Sequence, residues 1–460
     1  MEIAGRILVL GLGVSGTAVA ERLAEVRCGG GDVSVVVADE HHGPELEARA
    51  QRLRAAGVDV QLGVQRIEGA YDLVVASPGI PPSSGLMRSA RELGAEVISE
   101  IELAYRLTHS PLIAVTGTNG KTTVTKMIGH LLEEAGIPME VVGNIGTPAI
   151  DVVDSVGTGT VLVTEVSSFQ LALTDTFRPR VSVLLNITPD HIDWHGSMEA
   201  YSADKARIFA NQSEGDTAIV VVDDPGAAPF AAVVAEQGVE VIRVSLKGLP
   251  AGGAGLVEGT LTLDLHGGAT PLLRASDLPV RGDHNITNAL AAAAAACAAG
   301  AGAADIAAGL RTFRPIPHRL EPVDTVAGVE YFDDSKATNP DAVMKALTGF
   351  DDRGVVVLLG GRNKGNPFRE LAEEVDERCK AAVLFGEAAP EIAVAFEGLP
   401  VPVQLAPDLE SAIERATTLA DDGDVVLLSP GCASFDEFAG YAARGDAFKA
   451  AVVRLGEGAS

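Results

Sequence analysis

The sequence predicts an α/β protein of three successive domains, and three observations carry that expectation. Short β-branched runs alternate with helical stretches along the chain, the pattern of parallel sheets joined by crossover helices. Two glycine-rich turns each follow a strand-like run and open a helix-like one. Breaks at Ser110-Pro111 and at Arg314-Pro315-Ile316-Pro317 stop a helix from continuing through them. They divide the chain at 1–109, 110–314 and 315–460, and 460 residues is itself about three times the usual ~150 per domain.

The strands predicted in order are Arg6–Leu10, Val33–Ala38, Leu73–Ala76, Leu112–Thr116, Val161–Glu165, Val181–Asn186, Ala218–Val222, Val355–Leu359, Ala382–Phe385 and Val425–Ser429. Their hydrophobicity is continuous rather than alternating, which implies burial on both faces. Lys247–Leu273 differs: it is glycine-rich, with Thr and Leu alternating in GTLTLDL, and reads as an antiparallel ribbon or sheet edge. The alanine run 289–299 is expected to be a closely packed helix, alanine being the best helix former. No internal repeat is present.

Composition excludes several classes. Apolar residues make up 47% of the chain and charged ones 21%, enough for several cores, so disorder is excluded for most of the length. Acidic residues outnumber basic ones 63 to 35, a formal net charge of -28 that repels phosphate backbones and argues against nucleic-acid binding. A small anionic substrate stays compatible with it, because local cations and N–H groups outweigh a distant surface charge. Cys28, Cys297, Cys379 and Cys432 are far apart and form neither a zinc nor a disulfide pattern. No apolar run is suited to spanning or inserting into a membrane, and glycines break the N-terminal one below signal-peptide length, so a reducing cytoplasmic setting is expected.

The first glycine turn, Gly11-Leu12-Gly13-Val14-Ser15-Gly16, is a GxGxxG fingerprint with Asp39 at the end of the next strand, where a ribose hydroxyl would be read. Dinucleotide binding, as in a nicotinamide oxidoreductase, and a plain tight turn both remain open from this loop. The second, Thr116-Gly117-Thr118-Asn119-Gly120-Lys121-Thr122-Thr123, is a phosphate loop. Its backbone cradles phosphates, Lys121 brings a point charge to the β- and γ-phosphates, and Thr122 offers a hydroxyl to Mg²⁺. Val115 stands where the general pattern has its first glycine.

That departure resembles the ATP loop of the Mur ligase family, the amide-forming enzymes that build the peptide stem of peptidoglycan. Matching segments cover about 1–445. They include Asn144-Ile145-Gly146, Glu165-Val166-Ser167-Ser168-Phe169-Gln170, Asn186-Ile187-Thr188-Pro189-Asp190-His191 and His284-Asn285-Ile286-Thr287-Asn288. Pro317-His318-Arg319, Asp333-Asp334-Ser335-Lys336-Ala337-Thr338-Asn339 and Ser429-Pro430-Gly431-Cys432-Ala433-Ser434-Phe435-Asp436 follow, the last two resembling the D-glutamate-adding branch.

The resemblance implies a Rossmann-like N-terminal domain for UDP, a central P-loop-type ATPase sheet, and a Rossmann-like C-terminal domain for the amino acid. It implies ATP-dependent addition of D-glutamate to UDP-N-acetylmuramoyl-L-alanine through an acyl phosphate, by a monomer using ATP and Mg²⁺ at two sites. Lys121, Glu165, His191 and Lys205 are the implied catalytic residues, with Thr122, Glu165, His191 and a carbamylated Lys205 as metal ligands, His191 serving either as a second-metal ligand or as a polar group near the attacking amine. Gly117, Thr118, Asn119, Gly120, Lys121, Thr122, Thr123, Asn285, Asn288, Arg319 and Asp334 would hold ATP, Asn285 also being placed to cap its helix. Gly13, Val14, Ser15, Asp39, Ser77, Gly79 and Asn144 would contact the UDP substrate, and Lys336, Thr338, Lys364, Ser434 and Tyr441 the D-glutamate. His41 stands near an expected arginine and Tyr441 where a phenylalanine is expected. Closure of the third domain about Pro315 and Pro317 is expected on binding.

Overall fold

A computed structural model describes residues 3–265, 268–280, 282–314, 317–350 and 354–458, so Pro315 and Ile316 lie outside the described residues. The described chain forms three separate sheets. The first holds β1 (Gly5–Leu10), β2 (Val33–Asp39), β3 (Asp59–Leu62), β4 (Leu73–Ala76) and β5 (Glu96–Ser99). All are parallel, in the order β3-β2-β1-β4-β5. This is the arrangement of half a Rossmann fold, with a crevice at the strand C-termini where the order reverses.

The central sheet comprises β6 (Leu112–Thr116), β7 (Met139–Gly143), β8 (Val161–Glu165), β9 (Val181–Leu184), β10 (Thr217–Val221), β11 (Glu240–Ser245), β12 (Ala254–Val257), β13 (Thr260–Asp264) and β14 (Ala269–Arg274). Its order is β14-β13-β12-β11-β10-β9-β6-β8-β7, parallel from β12 through to β7, with β13 and β14 added antiparallel at one edge. The expected ribbon is thus that edge. Helices Lys121–Glu134 and Asp283–Ala298 pack together over the sheet. Residues 289–296, all alanine but Leu290, are fully buried there; methyl side chains let the helix axes approach closely.

The third sheet contains β15 (Glu321–Val326), β16 (Val329–Asp333), β17 (Val355–Gly360), β18 (Cys379–Phe385), β19 (Val403–Leu405) and β20 (Val425–Gly431), ordered β15-β16-β20-β17-β18-β19. Only β15 runs antiparallel to its neighbour.

The junctions between sheets differ in kind. Glu102, on the helix Glu100–Leu107 that closes the first domain, is fully buried. Its carboxylate accepts from the backbone N–H groups of Asp175, Thr176 and Phe177 at 3.1, 3.0 and 3.0 Å, from the Thr176 hydroxyl at 2.6 Å, and from Arg106 Nε at 2.6 Å. Glu100 accepts from Ile150 N at 2.8 Å, and the apolar core runs unbroken from Ile7 to Val239. The third domain meets the central one largely side chain to side chain, with His284 also bonding the Lys345 backbone. Asp341 accepts from Asn119 Nδ2, Thr188 Oγ1 and its own Lys345, and Asp190 is met by Asn339 and Lys364.

Candidate active site

The phosphate loop leaves the buried strand β6 and turns into helix Lys121–Glu134 at Gly120, whose φ of +86° is left-handed. A Cβ there would lie 2.6 Å from Asn288 Oδ1, so glycine is required both by conformation and by that approach. Side chains from the strand ends brace the loop. Asn119 N donates to Asn186 Oδ1 at 2.8 Å and Asn186 Nδ2 returns a bond to Asn119 O at 3.0 Å. Thr118 Oγ1 lies 3.0 Å from Tyr201 Oη and donates to Thr188 O. The helix N-terminus and its free N–H groups face the third domain, the geometry of an anion site.

Two lysines converge beneath this loop. Lys121 Nζ donates to the carbonyls of Gly117 and Thr118 at 2.8 and 2.9 Å, and Lys205 Nζ donates to Gly117 O at 2.8 Å. Burial lowers the pKa of both and, with the Lys121 charge adding to it, takes Lys205 well below its ordinary value; Glu165 and Asp190 partly offset this. Although its sequence context suggests an ordinary exposed helix position, Lys205 is only 1% exposed. Its helix, Met198–Ala206, is anchored by Asp204, which meets His195 Nδ1 at 2.7 Å, while His195 Nε2 meets Ser168 Oγ at 3.0 Å.

Glu165 ends β8 and is 2% exposed. Oε1 accepts from Asn144 Nδ2 at 3.0 Å, whereas the buried Oε2 has no partner within the protein. A buried carboxylate oxygen left without a donor is costly, so the donor set fits a hard cation such as Mg²⁺, with the Thr122 hydroxyl on the adjoining helix. Thr123 Oγ1, His284 Nδ1 and Arg319 Nε are likewise buried and unpartnered. His191 caps helix Ile192–His195 in a left-handed conformation, φ +54°, its ring edge-on to Phe169 and Nε2 3.6 Å from Asp190 Oδ2.

A cleft of about 770 Å³ lies between the central and third domains. Lys121, Thr122, Asn144, Glu165 and His191 line it from one side, and Arg319, Lys336, Thr338, Lys364 and Tyr441 from the other. A cavity of about 230 Å³ lined by Asn119, Gly120, His284, Asn288, Arg319 and Asp334 adjoins it. Burial raises the Asp334 carboxyl to about 7 despite Ser429 Oγ donating at 2.7 Å and Arg319 nearby. Burial and Arg319 bring Lys336 down to about 8, and its ammonium sits 5.2 Å from the Tyr441 ring centroid. Burial would raise Asp190, but Lys364, His191 and Lys121 more than offset it and hold the carboxyl low.

Not every expected residue faces this cleft. Ser434 is 2% exposed, and Asn285 is buried in the first turn of a helix whose N-cap is Gly282, without side-chain capping. Asn285 therefore does not cap its helix; it accepts instead from Asn288 Nδ2 at 3.3 Å. Gly13, Val14, Ser15, Asp39, Ser77 and Gly79 cluster at the C-terminal ends of β1, β2 and β4, apart from the cleft. Asp39 braces that loop, Oδ2 accepting from Leu12 N at 2.7 Å and Oδ1 from His41 N at 2.8 Å. Arg49 reaches the same turn, donating to Leu12 O at 3.0 Å, and with Val14 lines a groove running to Pro148. Asp190, Asn339, Asp341 and Arg49 are residues that sequence reasoning missed. Asn339-Pro340-Asp341 carries a helix-start signature, which accounts for the cap Asn339 makes to Ala342 N but gives no sign of Asp341's partners across the cleft.

Residues 5–99 match the family described as Mur ligase MurD-like, N-terminal domain; residues 115–296, Mur ligase middle domain; and residues 318–432, Mur ligase, glutamate ligase domain. A protein of Pelotomaculum thermopropionicum named UDP-N-acetylmuramoylalanine--D-glutamate ligase is 45% identical over 98% of each chain. A Salinibacter ruber protein of the same name is 42% identical, again over 98% of each. Among solved structures, MurF from Acinetobacter baumannii superposes with a TM-score of 0.62 at 18% identity, covering 93% of this chain and 91% of its own. The UDP-N-acetylmuramate-alanine ligase of Thermotoga maritima gives 0.58 at 20%, covering 99% and 100%. These structures share the fold; the full-length sequence identity carries the assignment, and the chain belongs to the Mur ligase family.

Proposed function

We propose that this chain catalyses ATP + UDP-N-acetylmuramoyl-L-alanine + D-glutamate → ADP + phosphate + UDP-N-acetylmuramoyl-L-alanyl-D-glutamate. The full-length similarity to proteins named for D-glutamate ligation supports the substrate. The observation that carries the chemistry is one cleft with Lys121, Glu165 and the phosphate loop on one wall and Lys336, Lys364 and Arg319 on the other. Domains 1–109, 110–314 and 315–460 then take UDP, ATP and D-glutamate respectively.

The alanyl carboxylate attacks the γ-phosphorus, ADP leaves, and the acyl phosphate is attacked by the D-glutamate amine with loss of phosphate. Positioning and charge neutralisation supply most of the rate. Lys121 and the loop N–H groups hold the phosphates, Arg319 reaches them from the third domain, and Asp334 reads the ribose. Asn288 faces the adenine end, and the buried Asn285 holds it by accepting from its Nδ2. Thr122 and Glu165 would hold one Mg²⁺, and His191 a second; bound there, the metal neutralises developing phosphoryl charge. Lys336, Thr338, Lys364 and Tyr441 surround the two carboxylates of D-glutamate, and the buried Ser434 supports that wall. Tyr441 keeps a ring wall and adds a hydroxyl. Gly13, Val14, Ser15, Asp39, Ser77, Gly79 and Asn144 serve the UDP substrate.

Lys205 is proposed to carry a carbamate. Its burial and the adjacent Lys121 favour the neutral amine, which bonds to the carbon of CO₂ and releases one proton, leaving an anion able to ligate metal. The enzyme is proposed to act as a cytoplasmic monomer; among the described residues no helix is long and apolar enough to cross a membrane. Phosphate release that requires both UDP-N-acetylmuramoyl-L-alanine and D-glutamate tests the proposal. Faster release with L-alanine, L-glutamate or meso-diaminopimelate overturns it.

A further inference from the structure

Arg444 lies in the first turn of the last helix, Tyr441–Gly458, and is fully buried. The carboxylates of Asp436, Asp333 and Glu437 favour its charge from a distance, but they are not its hydrogen-bond partners. Its guanidinium instead donates from Nε to Ser335 Oγ at 2.9 Å, from Nη2 to the carbonyls of Ser335 and Cys432 at 2.8 and 3.1 Å, and from Nη1 to Gly360 O at 3.4 Å. Ser335 Oγ passes the connection on, donating to Tyr441 O at 2.8 Å. The loop at Gly361 closes over the group: a Cβ there would lie 3.0 Å from Arg444 Nη1 and 2.2 Å from Ala433 O.

A buried cation held chiefly by carbonyl oxygens, with Asp436, Asp333 and Glu437 acting on it from further off, is an expensive way to fill a core. What this guanidinium does is geometric. Each acceptor lies in a segment that carries a proposed D-glutamate residue: Ser335 precedes Lys336 and Thr338, Gly360 begins the turn to Lys364, Cys432 leads to Ser434, and Tyr441 starts the helix itself. A planar fork of fixed donors sets four chain segments at defined separations, which a lysine's single ammonium cannot do.

We infer that Arg444 is a positioning residue for the amino-acid pocket, holding Lys336, Lys364, Ser434 and Tyr441 in mutual register from behind without touching substrate. The inference rests on the D-glutamate reading of that pocket. Its test uses the full chain carrying Arg444→Lys or Ser335→Ala, with KM measured separately for D-glutamate, ATP and the UDP substrate alongside thermal unfolding. R444K is expected to raise the D-glutamate KM at least about tenfold and to change the ATP KM less than about twofold. S335A, which keeps the guanidinium but cuts one acceptor and the link to Tyr441, should raise the D-glutamate KM by about threefold. An unchanged D-glutamate KM in folded R444K, or a rise shared equally by all three substrates, overturns the inference. Should R444K fail to fold, S335A decides by the same criterion. A wild-type enzyme whose phosphate release ignores D-glutamate overturns the functional proposal instead.

Discussion

Lys121 and Lys205, on different helices, both donate to the carbonyl oxygen of Gly117, each at 2.8 Å. Burial lowers the pKa of both amines, and Lys205 is pushed down further by the charge of Lys121. The phosphate loop is thereby held from below by one cation and by one amine biased towards neutrality.

Replacing Lys205 by alanine should lower kcat on the order of 10²- to 10³-fold, the scale of losing one preorganised charge in an active site. Formate or acetate should restore part of it by standing in for the carbamate. Full activity of K205A without added acid removes the carbamate proposal, as does a defect that no short-chain acid rescues.

Asp341 gathers donors from Asn119, Thr188 and Lys345 and so ties the third domain to the phosphate loop. Asp341→Asn keeps the size and loses the charge. The ATP KM should rise about three- to tenfold, matching roughly 1 kcal/mol of hydrogen bonding, with little change in unfolding temperature. An unaltered ATP KM would mean that this contact contributes nothing to nucleotide binding.

Glu100 is 1% exposed, and burial raises its carboxyl from 4.5 to about 7, with Ile150 N opposing. The folded pKa lies above the unfolded one, so the contribution to stability is complete below about pH 4.5 and is lost as pH rises through 7. Glu100→Gln imitates the protonated form. It should be more stable than wild type at pH 8.5, on the order of 2–3 kcal/mol, with the gap closing near pH 5. Denaturant unfolding at both pH values measures it, and a gap independent of pH refutes it.

UDP should protect the first domain. At a hundred times its Kd it adds about 2.7 kcal/mol, visible as a rise in unfolding temperature, whereas NADH at the same concentration should add nothing. Protection by NADH alone would return the Gly11–Gly16 turn to dinucleotide binding.

The sheet centres were legible because β1, β2, β4, β6, β8, β9, β10, β17, β18 and β20 are largely buried on both faces and read as continuous apolar runs. The strands not anticipated show why the rest was hidden. β3, β5, β7 and β19 are short and half-exposed, β11 mixes buried and exposed positions, β15 carries Pro322 and a register shift, and β16, though largely buried, has its apolar run broken by Glu330 and Asp333. The phosphate loop announced itself through local spacing. Asp190, Asp341 and Arg444 did not, since the cross-domain partners of Asp190 and Asp341 lie 149 to 222 residues away and Arg444 sits in a buried turn of an outwardly ordinary helix. Asn285 shows the opposite error: a residue type suited to capping, placed one turn too deep to cap.

Glu102 secures the first domain to the central one by gripping three successive backbone amides, whereas Asp341 and Asp190 join the third domain to the central one side chain to side chain. Main-chain partners are indifferent to substitution; side-chain partners can be rewritten one codon at a time. Under the proposed substrate assignment, the first two domains form a fixed chassis, and the third is a movable wall that lends Arg319 and Asp334 to the same cleft.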